Sequence, residues 1–131
     1  MDIELKLREI LLQVFGLDSI EEVKPHYSLV KDIGADSLDF VEIIHLIDRN
    51  FGVEITANSI MLGSRDITTE NLFDNGKLTE YGSKILKKYH PEKVDRFFTG
   101  MTKIDLFSLI TVSDLAGMID DKRKEGKVKV L

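Results

Sequence analysis

Apolar side chains recur at helical spacing in two separated stretches of the chain, and this periodicity predicts amphipathic helices there. In the first stretch the recurring residues are Ile3, Leu7, Ile10 and Val14. In the second stretch one arc of a helical wheel collects Phe40, Ile43, Ile44, Ile47 and Phe51. We therefore expect helices that bury one face each, the first ending near Gly16 and the second near Gly52.

The second stretch is preceded by a signal for a helix start. Gly34 permits a sharp entry, and Asp36 is suited to cap the helix because a short carboxylate accepts hydrogen bonds from the first backbone N–H groups. Ser37 then lies in the first turn, where free N–H groups and the helix dipole favour negative charge. A phosphodiester on the Ser37 hydroxyl would be well placed there. Asp36 and Asp39 would oppose a phosphate, so they suit contacts with a basic partner better.

A further helix is expected near the end of the chain, where Thr111-Val112-Ser113-Asp114 resembles a capping box. The basic tail at 122–131 is expected to fray. In the region 57–110, Thr79 is predicted to cap a helix that runs to Tyr89 and stops at Pro91. The helix is indicated by a stripe of Leu78, Tyr81, Ile85, Leu86 and Tyr89, and Tyr81, Ile85 and Tyr89 are expected to pack it against the bundle.

Composition narrows the class of protein. A chain of 131 residues, 43% hydrophobic, suits one modest core, so a single domain over 1–131 is expected. Residues 1–56 hold twelve Asp and Glu against five Lys and Arg, a charge of −7 that disfavours nucleic acid and favours basic protein surfaces. We expect no integral membrane segment, and the acidic start at Asp2 and Glu4 predicts a cytoplasmic protein.

Catalytic and metal sites are not expected. The chain has no cysteine and only three scattered histidines, so the sequence does not favour a metal enzyme. The residues beside Ser37 do not form the Gly-x-Ser-x-Gly elbow of a serine hydrolase. The acids from Asp32 onward also lack the spacing of a calcium-binding loop.

A family resemblance enters at the predicted start of the second helix. The segment Gly34-Ala35-Asp36-Ser37-Leu38-Asp39 resembles the modification motif of the acyl carrier protein family. The resemblance covers most of residues 3–56 and 110–124. It implies an all-α, acyl-carrier-protein-like four-helix bundle with an additional helical insertion. The enlarged region, 57–110, would lie between the second core helix and the last helix.

The resemblance also implies a cofactor. A phosphopantetheinyl transferase would move 4'-phosphopantetheine from coenzyme A to Ser37, with Asp36 and Leu38 as flanking cofactor-binding residues. The thiol of that arm would carry an acyl chain as a thioester, so the chain would be a carrier and not an enzyme. An imported thiol accounts for the missing cysteine.

Partner recognition is assigned by the resemblance to the exposed face of the second helix, which comprises Leu38, Asp39, Val41, Glu42, His45 and Asp48. The expected partners are the transferase and acyl-loading, chain-elongating and acyltransferase enzymes with basic docking surfaces. A monomer is expected. His45 and Arg49 depart from the usual family pattern, so some standard partners should bind poorly.

The insertion suggests specialisation. We expect long or hydroxylated fatty acyl groups destined for lipid A, lipopolysaccharide or related lipids. The alternatives are a carrier for polyketide or peptide assembly, or a non-catalytic structural subunit that keeps the carrier fold. Tyr81, Ile85 and Tyr89 are open to a second interpretation as an acyl pocket, and the nearby lysines Lys84, Lys87 and Lys88 to one as a membrane or partner surface.

Overall fold

A computed structural model describes the backbone of residues 2–64 and 66–130, with side chains up to residue 125 within those ranges. The helices are α1 (Ile3–Phe15), α2 (Ser37–Phe51), α3 (Ala57–Leu62), α4 (Glu80–Tyr89), α5 (Lys103–Phe107) and α6 (Val112–Val130). Two 3-10 helices span Ile20–Glu22 and Pro91–Arg96. A small antiparallel hairpin pairs β1 (Phe73–Asp74) with β2 (Lys77–Leu78). The predicted all-α class with a helical insertion is confirmed.

The bundle consists of α1, α2, α3 and α6, and α1 packs against both α2 and α6. Asp2 caps α1 by accepting a hydrogen bond from the Leu5 N–H, and Gly16 ends it in the left-handed conformation that glycine tolerates best. The first core, which these helices share, includes the fully buried residues Leu7, Leu11, Ile43, Ile47, Ile60, Leu115 and Ile119. Gly52 ends α2 in the same left-handed conformation, so both predicted helix ends are confirmed.

The long connection between α1 and α2 is held against the bundle along its length. The Arg8 guanidinium donates to the carbonyls of Ile20 and Val23 at 3.0 and 2.6 Å. Further on, the Leu29 N–H donates to the Ile110 carbonyl, and the Ser28 hydroxyl donates to the Ser108 carbonyl. Backbone polar groups that leave water need such partners, so this loop reaches α2 along one defined path.

Residues 63–110, together with the end of α3, build a second core. It comprises Met61, Leu62, Ile67, Leu72, Leu78, Leu86, Phe97, Met101 and Leu106. The hairpin closes one side of it through Asn75 and Gly76, both with positive φ, the backbone that a two-residue hairpin turn requires. Because α3 gives Ile60 to the first core and Met61 to the second, it belongs to both parts of the fold.

The expected packing of α4 is wrong in one respect. Tyr81 and Tyr89 are exposed, and Ile85 is half-buried against the second core and not against the bundle. The face that packs is centred on Gly82 and Leu86. A Cβ on Gly82 would lie 2.5 Å from the Leu72 carbonyl oxygen, so the helix approaches its neighbour through the residue without a side chain.

The prediction that the basic C-terminal segment frays is also wrong. The sequence predicted fraying over 122–131, whereas α6 continues through Val130, and Leu131 lies outside the described residues. Lys124 pairs with Asp120 at 2.9 Å, four residues earlier, and such pairs stabilise a helix. A single glycine in a helix costs only about 1 kcal/mol, so Gly126 weakens the helix without ending it.

Polar contacts tie the second core to the bundle. The Lys93 ammonium lies 2.6 Å from Asp114 Oδ2 and also donates to the Leu109 carbonyl. His90 Nε2 lies 2.7 Å from the Leu62 carbonyl oxygen at the end of α3, and since a carbonyl only accepts, the ring donates. The insertion is therefore anchored at both α3 and α6.

Two capping carboxylates have shifted pKa values. Burial raises the pKa of Asp114, but the hydrogen bonds from Lys93 and Thr111 and the charge of Lys93 outweigh it, so the pKa lies below its usual value. The pKa of Asp105 is also lowered, chiefly by hydrogen bonds from Thr102 and to a smaller extent by Lys31. Thr102 caps α5 and Thr111 caps α6, and Asp105 and Asp114 complete the two capping boxes by accepting the N–H of the cap residue, so both carboxylates stabilise a helix start when ionised.

Candidate functional site

Ser37 is the first residue of α2, and its position is fixed by a reciprocal capping box. The Asp39 N–H donates to Asp36 Oδ1 and the Asp36 N–H donates to Asp39 Oδ2, both at 3.0 Å. The predicted cap by Asp36 is confirmed, whereas the part played by Asp39 was missed. An acidic residue three positions after the cap was the available signal.

The hydroxyl of Ser37 is exposed and forms no hydrogen bond with any described residue. The N–H groups of Ser37 and Leu38 likewise find no partner in the described part of the chain. Unpaired N–H groups at the start of a 15-residue helix favour an anion. The residues present therefore fit a phosphate attached to the Ser37 oxygen.

The approach to Ser37 is set by Gly34, which the sequence singled out, and by Ala35, which it did not. Gly34 has φ 92°, which a residue with a side chain rarely adopts. Ala35 is buried, and its N–H donates to the Leu29 carbonyl at 2.8 Å. The chain thus turns sharply into α2 and leaves the Ser37 side chain facing water.

Behind the site lies a contact that sequence reasoning missed. The rings of Phe40 and Phe107 have centroids 4.6 Å apart, within the range of favourable aromatic pairs. Phe40 follows Ser37 by one helical turn, and Phe107 ends α5 of the insertion. No local sequence pattern predicts this contact, because the two residues are distant in sequence.

The predicted partner residues of α2 share one outward face. The exposed members are Leu38, Val41, Glu42, His45 and Asp48. Leu38 and Val41 have exposed fractions of 77% and 65%, unusually high for apolar residues on a packed helix. Asp39 is half-buried, and its carboxylate belongs to the capping box. Arg49 is exposed near the end of the same helix.

The described residues offer neither a metal site nor a membrane-spanning helix. Within residues 2–64 and 66–130, no cluster of three or more His, Cys, Asp or Glu side chains could hold a metal ion. No helix among the described residues is both long and apolar enough to cross a membrane.

Known proteins resemble the part of the chain that contains Ser37. The family model described as "Phosphopantetheine attachment site" matches residues 5–75. An acyl carrier protein of Nitratidesulfovibrio vulgaris (strain DP4) is 49% identical over 55 residues, which is 42% of this chain and 71% of the relative. The acyl carrier protein of the Miyazaki F strain is 47% identical over the same shares of the two chains.

Acyl carrier proteins are carriers without catalytic activity, and their cofactor is phosphopantetheine. They interact with a phosphopantetheinyl transferase and with acyl-handling enzymes. The matched region contains α1, α2 and α3, so it includes most of the bundle together with the capped helix start described above. The chain therefore belongs to the acyl carrier protein family.

Proposed function

We propose that Ser37 receives 4'-phosphopantetheine from coenzyme A and that the chain presents acyl groups on that arm. One observation carries this assignment. The Ser37 hydroxyl is exposed and unpaired among the described residues, at a helix start whose first N–H groups lack partners there. A phosphodiester on Ser37 would lie against those N–H groups, with Asp36 and Leu38 on either side.

The chain's own residues hold the site in shape. The capping box of Asp36 and Asp39 fixes the first turn of α2, so the Ser37 oxygen keeps one position relative to the bundle. When bound, the arm supplies a thiol that forms a thioester, and the chain itself has no cysteine. Ser37 forms the phosphodiester bond to the arm, and the other residues of the site orient and present it.

The exposed face of α2 is the proposed docking surface for partner enzymes. Leu38 and Val41 offer a small apolar patch beside the acidic residues Glu42 and Asp48. Such a face suits a basic enzyme surface, with charge guiding the encounter and the apolar patch being buried on contact. Asp39 and His45 lie within reach of the same partner. The exposed Arg49 would favour enzymes that carry an acid opposite it.

We further propose that the carrier is specialised for long or hydroxylated fatty acyl groups used in lipid A, lipopolysaccharide or related lipid synthesis. Support comes from the insertion, which builds an apolar core of its own and reaches the helix that bears Ser37 through Phe107. In this proposal, residues 1–131 act as one monomeric carrier domain in the cytoplasm. The contacts of Lys93 and His90 with the bundle support treating the insertion as part of that domain.

Intact mass tests the attachment. The protein is incubated with coenzyme A, Mg²⁺ and a broad-specificity phosphopantetheinyl transferase. The wild type should gain the mass of one phosphopantetheine group, and Ser37→Ala should gain none. Equal gain in both proteins would refute the assignment to Ser37.

A further inference from the structure

The two apolar cores meet along a seam formed by α3 and by Phe107 of α5. On α3, Ile60 points into the first core, whereas Met61 and Leu62 belong to the second. Phe107 is half-buried and packs against both cores, and its neighbour Leu106 is buried in the second. Apolar contacts therefore run without a break from the bundle into the insertion.

One end of this seam lies close to Ser37. Phe40 is three residues after Ser37 on α2, and residues at that spacing are neighbours on a helix, with Cβ atoms about 5–6 Å apart. The Phe40 ring in turn lies 4.6 Å from the ring of Phe107. The Phe40 side chain therefore links the origin of a flexible arm on Ser37 to the seam at Phe107.

A long acyl chain gains by leaving water, at about 0.8 kcal/mol for each buried methylene. Both cores are closely packed, since Ile43 and Ile47 are fully buried in the first and Leu86 is fully buried in the second, so a chain must displace side chains in either. The second core contains the buried methionines Met61 and Met101. Methionine is unbranched and adapts its shape readily, so this core can make room at lower cost.

We propose that Phe107 determines acyl-chain selectivity by separating two regions that receive the chain. Short chains stay on the bundle side of Phe107, and long chains pass it and end among Met61, Met101 and Leu106. This inference rests on the proposed attachment at Ser37. Its consequence is that the insertion binds the distal end of the acyl group.

Methyl signals of the methionines test the inference. The chain has four methionines, of which Met61 and Met101 line the second core and Met118 lies beside the first. The protein is labelled at the methionine methyl groups and loaded at Ser37 from octanoyl- or palmitoyl-coenzyme A. Palmitoyl loading should shift the Met61 and Met101 signals relative to the form without an acyl group, and octanoyl loading should not. Loaded protein in which palmitoyl leaves both signals in place would overturn the proposal.

A variant of the ring tests its role directly. In Phe107→Ala the octanoyl chain should now shift the Met61 and Met101 signals. The matched control, Tyr81→Ala, removes an exposed ring of the insertion and should behave as wild type. If Phe107→Ala does not fold, Phe107→Leu replaces it in the same experiment. A folded variant in which octanoyl still leaves the Met61 and Met101 signals in place would contradict the proposal. Failure of the attachment itself would appear differently, as no mass gain in any sample.

Discussion

The ammonium group of Lys93 lies 2.6 Å from Oδ2 of Asp114, which joins the insertion to the first turn of α6. The Lys93 side chain is only 16% exposed, whereas that of Asp114 is 35% exposed. The same carboxylate accepts a hydrogen bond from the N–H of Thr111, the residue that caps the helix. One carboxylate thus serves both the cap of the last bundle helix and the anchor of the insertion.

Removing the cation should loosen this anchor. Lys93→Met keeps the length of the side chain and is expected to lower the free energy of unfolding by about 1–2 kcal/mol, measured in urea. The matched control is Lys84→Met, which breaks an exposed pair with Glu80. Exposed pairs contribute little, so the control should change stability by less than about 0.5 kcal/mol. Equal effects of the two substitutions would argue against the anchor.

The same pair should make stability depend on pH. Since the folded state lowers the pKa of Asp114, ionised Asp114 stabilises the fold above the unfolded-state pKa of about 3.9. This contribution is lost as the pH falls through the lower folded value. The stability difference between wild type and Asp114→Asn should therefore be constant above about pH 5 and shrink below about pH 4. Asp105 titrates in both proteins and cancels. A difference that is the same at all pH values would contradict this reading.

Variants of the two capping residues Asp2 and Asp36 distinguish an effect on stability from an effect on the transfer of the arm. Each accepts a backbone N–H at the start of its helix, so replacing either with alanine should cost about 1 kcal/mol of unfolding free energy. Only Asp36→Ala should also slow phosphopantetheine transfer, because only that cap positions Ser37. Asp36→Asn keeps the acceptor and should restore stability. Transfer rates that fall equally in the variants of Asp2 and Asp36 would point to a general loss of folded protein.

The bundle was largely predictable because its signals are local. Apolar periodicity and capping residues located α1, α2 and the start of α6, and Asp36 was recognised as the cap before Ser37. The insertion was harder. Asn75 and Gly76 are typical of a hairpin turn, although none was predicted from the sequence. The apolar pattern of α4 predicted a helix but did not indicate that it packs through Gly82. An exposed tyrosine stripe and a glycine contact are both invisible to apolar periodicity.

The aromatic contact behind the site could not be predicted at all. From the sequence, Phe40 is predicted only to be buried on α2. Phe107 is recognised only as part of a short apolar run. Their pairing depends on how α3 and α5 pack, which is a tertiary result. Long-range pairs of this kind carry no signal within a window of neighbouring residues.

The acidic face of α2 should control the rate of modification. Glu42→Gln removes one exposed charge and is expected to lower the transfer rate several-fold at low salt, because opposite charges speed encounter. The effect should fade as added salt screens the charges. Glu21→Gln makes the same change in the loop between α1 and α2 and should have little effect. Equal slowing by both would indicate net charge alone.

The most direct measurement of the central claim is the location of the arm on the chain. After transfer from coenzyme A, the protein is digested and the fragments are sequenced by tandem mass spectrometry. The account predicts a single modified fragment, with the added mass on Ser37 and on no other residue. Modification of a different serine, or an unmodified Ser37 in protein that has gained the arm, would contradict it.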